Sequence, residues 1–215
     1  MRLALLAVAA VVLGAGSAPP PLPPLPRDGL VVQTTTGLRL TSLGGHGVAT
    51  LTGYRFGFEC GYPSPDALRG SGRLWSLDAA ESRLVPRGAL RRRCLHARSL
   101  VVGGRRLAGP ATKLGSWQRV WLSPDRRTVL ALWSGECEIP TAYLVRVRDG
   151  RLKPLGTETS PLGWTHDGRA VVRFANGCGS PPQPPGVYLV DADGGVLARA
   201  LALPQRGLAV ALWSS

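Results

Sequence analysis

The stretch Trp121-Leu-Ser-Pro-Asp-Arg-Arg-Thr-Val-Leu130 returns 42 residues later as Gly163-Trp-Thr-His-Asp-Gly-Arg-Ala-Val-Val172. Asp125 falls on Asp167, Arg127 on Arg169, and Val129-Leu130 on Val171-Val172. In each copy a first strand runs into a tight turn. Pro124 presets φ, the Asp bonds back to the backbone, and Gly168 supplies left-handed φ. An apolar second strand follows, over residues 128–133 or 170–174. Further on, Tyr143-Leu-Val145 matches Tyr188-Leu-Val190, now at an offset of 45. These third strands run into turns at Asp149-Gly150 and at Asp193-Gly194-Gly195, which reverse the chain into a short fourth strand.

Working outward, a weaker copy lies upstream. Residues 48–52 and 54–58 read as its first two strands around Gly53. Cys60 opens a Gly/Pro/Ser loop, and residues 73–77 and 83–87 read as its third and fourth strands. Residues 30–43 read as a third and fourth strand alone, and residues 99–107 as a short hairpin. The segment 207–213 is one more apolar strand. Four-stranded units at this spacing predict an all-β fold, a small β-propeller of four or five antiparallel blades, some of them incomplete. Segments 207–213 and 30–43 are expected to share a blade and so close the ring with strands from both ends of the chain. A β-sandwich is the alternative arrangement of the same strands.

The repeat turns resemble the TolB-like, WD40-like family of bacterial β-propeller repeats. That pattern is an aromatic residue, then Ser-Pro-Asp-Gly-Lys/Arg, a hydrophobic strand, and later a Tyr-aliphatic strand ending in Asp-Gly. Ser123-Pro124-Asp125-Arg126-Arg127 matches except for Arg126 in the Gly place. Trp164-Thr165-His166-Asp167-Gly168-Arg169 matches except for Thr165 and His166 in the Ser-Pro places. The good match covers residues 117–200. The resemblance implies an envelope or secreted protein that binds other proteins.

The chain has 215 residues, enough for one domain or two small ones. Apolar residues make up 44%, which supports a core and excludes wholesale disorder. The 28 Gly and 19 Pro lack collagen's period and mark many turns. The net charge of +13 points to anionic partners. There is no Lys-rich tail, zinc-finger spacing or helix-turn-helix pattern, which argues against nucleic acid. Met1-Arg2, an apolar run to Ala15 and small residues after it have the layout of a signal peptide over 1–17. Residues 18–28 then read as a stiff Pro-rich linker, and 29–215 as the propeller domain. Nothing after residue 26 is long and apolar enough to span a membrane. The expected location is secreted, periplasmic or envelope.

Export permits two disulfides among four cysteines. Cys60, Cys137 and Cys178 each follow the second strand assigned to their copies, which would place them on one face of a ring. The preferred pairing is Cys137 with Cys178, leaving Cys60 with Cys94. No CxxC occurs and the histidines (His46, His96, His166) do not cluster with the cysteines, so neither a metal site nor a cofactor is expected. No Gly-x-Ser-x-Gly elbow is present. The stretch from Arg83 to Arg106 has eight Arg and no acid. Arg87, Arg91, Arg92, Arg93, Arg98, Arg105 and Arg106 are its candidate anion- or partner-binding residues. Asp125, Asp167, Gly168, Asp149, Gly150 and Gly194 are the repeat-turn residues. These features predict an exported, non-catalytic binding or scaffold protein. Its partner would be an envelope or extracellular protein or an anionic polymer. The alternative is a small secreted glycosidase-like hydrolase using Glu59, Glu136 and Glu138.

Overall fold

The computed structural model describes residues 19–88, 95–110, 115–135, 140–175, 183–203 and 209–214. Residues 1–17, Arg91, Arg92, Arg93, Cys94, Glu136, Cys137, Glu138 and Cys178 lie outside them. The described residues form eighteen strands and no helix. They begin with β1 (Asp28–Gln33), β2 (Gly37–Ser42) and β3 (Gly47–Thr52). Next come β4 (Arg55–Glu59), β5 (Tyr62–Gly70), β6 (Arg73–Asp78) and β7 (Arg83–Arg87). A hairpin of β8 (Ser99–Val102) and β9 (Arg105–Ala108) follows. The repeat region supplies β10 (Gly115–Leu122), β11 (Thr128–Gly135), β12 (Thr141–Arg146) and β13 (Leu152–Thr157). Its second copy supplies β14 (Thr159–Trp164), β15 (Ala170–Phe174), β16 (Gly186–Val190) and β17 (Val196–Ala202), and β18 (Val210–Ser214) comes last.

Four antiparallel sheets make a four-bladed β-propeller. Blade one is β18-β1-β2-β3, blade two β4 to β7, blade three β10 to β13 and blade four β14 to β17. The β8–β9 hairpin forms a separate two-stranded sheet. The ring closes as expected: β18 pairs antiparallel with β1, from Asp28 opposite Ser214 to Val32 opposite Val210.

The alternating apolar positions of the strands build three junctions between blades. Phe56, Leu68 and Trp75 of blade two pack on Leu38, Leu40 and Trp213 of blade one. Leu130 and Leu144 of blade three meet Val172, Phe174 and Tyr188 of blade four. Val171 and Val187 of blade four meet Leu30 and Leu212 of blade one. The remaining face of blade three is covered by Leu100 and Leu107 of the hairpin, which pack with Trp117, Val129 and Trp133. The hairpin thus caps a junction where a further blade would sit. Its outward residue Val101 is 71% exposed.

The repeat turns work alike at the level of hydrogen bonds. The Ser123 hydroxyl donates to Asp125 Oδ1 (2.6 Å) and accepts from Thr128 N–H (3.0 Å). Thr165 does the same for Asp167 (2.5 Å) and Arg169 N–H (2.9 Å). Thr therefore replaces Ser without loss. Arg126 takes the left-handed place at φ 61°, where Gly168 has φ 85°. Asp149 likewise accepts from Arg151 N–H at 3.1 Å beside Gly150 at φ 73°. In blade four it is Asp191 that accepts from Asp193 and Gly195 N–H, while Gly194 supplies the left-handed φ.

Four upstream assignments need correction. Residues 48–52 and 54–58 are not two strands of one blade. They are β3, the outer strand of blade one, and β4, the inner strand of blade two, and Gly53 (φ 79°) turns the chain between blades. Residues 30–43 are second and third strands, because β18 takes the first place and β3 the fourth. Residues 62–70, expected as a loop, form β5. Pro63 and Pro65 argue against a regular strand, and they sit where the register jumps from Phe58 opposite Pro63 to Phe56 opposite Leu68. Cys60 therefore follows a first strand, at the opposite end of its blade from the loops that follow β11 and β15. The Pro-rich stretch is also docked. Leu22 and Leu25 pack on the blade one–two cluster, and Trp213 Nε1–H donates to the Pro26 carbonyl at 3.0 Å.

Two outcomes follow from this frame. A Cβ on Gly29 would lie 2.2 Å from the Trp213 ring and 2.5 Å from the Thr41 carbonyl oxygen. Gly29→Ala should lower stability by about 1–3 kcal/mol, measured as a fall in the denaturant midpoint at unchanged slope. The Ser123 hydroxyl and Arg127 N–H hold Asp125 below its ordinary pKa of 3.8. Asp167 is held below the same value by the Arg169 side chain and the Thr165 hydroxyl. A depressed carboxylate pKa contributes stability above the unfolded value and loses it as pH falls through the folded one. Asp125→Asn with Asp167→Asn should be less stable near neutrality, and its stability should fall less between about pH 5 and pH 2. Equilibrium unfolding across that range checks the slope.

Candidate functional site

Antiparallel order puts all first-to-second and third-to-fourth turns on one face of the ring. Between blades three and four this face opens into a cleft of about 940 Å³. Arg126 and Arg127 reach it from the β10–β11 turn. Arg146 and Arg148 come from the end of β12 and the turn after it, and Arg151 and Lys153 from that turn and β13. Asp125 and Asp193 are the acids in its lining. Arg146 and Arg148 share Asp149, at 3.0 and 3.8 Å. Among the described residues Arg126, Arg127 and Arg151 have no carboxylate within ion-pair distance. The Lys153 ammonium donates to the Asp193 carbonyl. Leu144, Leu152 and Pro154 give the cleft an apolar floor. The arrangement can hold anionic groups by guanidinium forks while covering apolar stems.

The candidates from the Arg-rich stretch sit elsewhere. Arg87 is held in place: its Nη2 lies 3.0 Å from Glu59 Oε1, and its Nη1 donates to the Asp66 carbonyl. Arg98, Arg105 and Arg106 are exposed, and Arg106 donates to Ser99 Oγ across the hairpin (3.1 Å). Glu59 also accepts from Ser64 Oγ at 3.1 Å, so it is engaged twice. His46 and His96 are exposed.

Blades two and three meet through polar and aromatic groups near the axis. The Arg119 guanidinium lies over Tyr62 (5.0 Å to the centroid) and over Trp121 (4.4 Å). Tyr62 O–H donates to Gln118 Oε1 at 3.0 Å. Gln118 lies at the register shift between Trp117 and Arg119, so the irregularity aims this cluster across the seam. Burial pushes the Arg119 guanidinium below its ordinary value, down to about 10, with Tyr62 and Glu59 opposing the shift. Nothing in the local pattern around Gln118-Arg119 marks the clasp in the sequence.

A Ser, a His and an Asp also meet on the turn face. Asp28, 8% exposed, accepts from His166 N–H (3.1 Å) and from Ser214 Oγ (2.6 Å), and its Oδ2 bonds His166 Nδ1. The carboxylate stands in the middle. The hydroxyl gives its proton to the acid and not to the imidazole, so this is not the arrangement that activates a serine. It ties both strands of the ring closure to the first turn of blade four. Among the described residues no group of three or more His, Cys, Asp or Glu could hold a metal ion.

No protein-family model matches the chain, and no curated protein does.

The seam clasp predicts its own disruption. Arg119→Ala should cost about 1–2 kcal/mol, the range of partly desolvated cation–π contacts. Arg119→Lys, which keeps the charge without the planar stack, should recover less than half of that. Chemical denaturation of the three proteins checks the order.

Proposed function

We propose that the protein is an exported, non-catalytic β-propeller that binds an anionic partner, an envelope or extracellular protein or an anionic polymer. The observation that carries this reading is the turn-face cleft, lined by six basic residues, of which four (Arg126, Arg127, Arg151 and Lys153) have no carboxylate within ion-pair distance among the described residues. A groove with an excess of one charge sign concentrates ligands of the opposite sign, and here six cations outnumber the lining acids Asp125 and Asp193. Of the residues offered by sequence, the exposed Arg98, Arg105 and Arg106 add to the positive field, while Arg87 is offset by Glu59.

Support for export comes from the signal-like layout of residues 1–17 and from Cys60, which is disulfide-bonded. An oxidising compartment fits a disulfide. The pairing itself falls outside the described residues. Cys137 with Cys178 and Cys60 with Cys94 remains our proposed pairing. Cys60 follows β4, on the face opposite the described ends of β11 and β15. Resemblance of the turns to TolB-like repeats points to the same class of envelope binding proteins.

Fluorescence anisotropy with a labelled oligo-glutamate peptide tests the reading. Affinity should fall steeply with added salt as the charges are screened. The triple variant Arg126→Gln, Arg127→Gln, Arg151→Gln should bind at least about tenfold more weakly, a loss of about 1.4 kcal/mol. Equal binding by the folded triple variant would sink the assignment of the cleft.

A further inference from the structure

On the inner strand β10, Arg119 stands opposite Leu132 and Trp121 opposite Leu130. Directly opposed residues share a face. Leu130 packs into the junction with blade four, so Arg119 and Trp121 both point to that side of blade three. Yet the Arg119 guanidinium also lies over the ring of Tyr62, which opens β5 of blade two. Blade two stands across the ring from blade four, since blade one joins both. A side chain that leaves blade three toward blade four and touches blade two occupies the axial space.

This guanidinium is held but not satisfied. Its Cζ lies 5.0 Å from the Tyr62 centroid and 4.4 Å from that of Trp121. Among the described residues no acceptor is within hydrogen-bond distance of its N–H groups, and no carboxylate is within ion-pair distance. Glu59 acts on it only from farther off, and its oxygens are engaged: Oε1 lies 3.0 Å from Arg87 and Oε2 accepts from Ser64. Burial depresses the Arg119 pKa, as expected of a charge that its surroundings compensate poorly. The guanidinium nitrogens are not sealed from solvent, unlike Nε of Arg173. Beside them, Gln118 Oε1 accepts from Tyr62 O–H at 3.0 Å. The Gln118 amide nitrogen is then a further donor with no acceptor among the described residues.

We propose that the Arg119 fork is an axial binding site for the carboxylate group of a small organic acid. Two parallel N–H bonds from a planar guanidinium match the two oxygens of a carboxylate. An Arg stacks on rings by its flat face and donates from its edge, so the aromatic contacts and a bound carboxylate do not compete. The local excess is the single charge of Arg119. A carboxylate neutralises it, whereas a phosphate carries more negative charge than the site can match. Partial burial makes such a pair stronger than in open water. Arg119 and Gln118 do not line the turn-face cleft, so the site does not rest on the function assigned there.

Calorimetric titration of the full chain with acetate and with benzoate, at fixed ionic strength in chloride, tests the proposal. Saturable binding at one site per chain is expected, with inorganic phosphate binding more weakly than acetate. Arg119→Gln should weaken carboxylate binding about tenfold or more, as for lost hydrogen bonds to a charged group. Arg119→Lys should weaken it less. Gln118→Glu keeps the acceptor for Tyr62 and sets a carboxylate beside the fork, so its loss should be comparable to that of Arg119→Gln. It carries the test should the Arg119 variants fail to fold. Arg151→Gln in the turn-face cleft should leave binding unchanged. Tighter binding of benzoate identifies an acid with an apolar body, and equal or weaker binding identifies recognition of the carboxylate alone; both support the site. No saturable binding, phosphate binding as tightly as acetate, benzamide binding as tightly as benzoate, undiminished binding by a folded Arg119→Gln or Gln118→Glu, or an equal loss in Arg151→Gln overturns it.

Discussion

The Asp28 carboxylate is nearly buried, and everything around it belongs to a different part of the chain. Ser214 comes from β18 and His166 from the first turn of blade four, and Asp28 itself opens β1. A buried charge left without partners is costly, whereas one with several donors is tolerated. The carboxylate therefore favours the one arrangement in which all three segments are assembled. The β1–β18 ladder then completes blade one, and blade one supplies apolar surface to both of its neighbours. Trp213 bridges these layers, packing beside Gly29 and bonding to the Pro26 carbonyl. Loss of this corner would open two of the three apolar junctions.

The ring is not uniform around its axis. Three junctions are apolar. The fourth is divided between the hairpin, which covers blade three, and the Arg119 clasp, which reaches blade two. The basic residues follow the same division. On the turn face they gather between blades three and four, and on blade two they form a row where apolar contacts would otherwise be. The excess of positive charge is thus gathered locally, most of all in the turn-face cleft, as well as being spread over the exterior.

Much of the fold was legible because the second half of the chain repeats itself with the same turn chemistry. Ser123 and Thr165, Asp125 and Asp167, and Arg126 and Gly168 hold equivalent hydrogen bonds or dihedral angles, so the four-strand unit could be read from these residues. Blade two was misread because β5 carries two prolines inside a bulge. With that strand removed from view, β3 and β4 looked like one hairpin. The candidate site was less legible. The cleft draws its cations from two separate short segments, 126–127 and 146–153, with Asp125 beside the first and Asp149 inside the second, so neither is a run of one charge sign. The run that does stand out, from Arg83 to Arg106, supplies a staple at Arg87 and exposed residues on a hairpin. Asp28, His166 and Ser214 are separated by up to 186 positions, and no local pattern connects them.

The place of β18 as the innermost strand of blade one also has a temporal side. Blades two, three and four can each assemble from neighbouring segments as the chain emerges. Blade one must wait, with the β1 edge unpaired, until residues 210–214 have been made. An open strand edge is a template for pairing with other chains, and contacts between distant segments form slowly. The nascent protein therefore passes through a stage in which its first blade is the exposed one. Anything that shields the β1 edge during synthesis would govern the yield of closed rings more than the stability of the finished propeller.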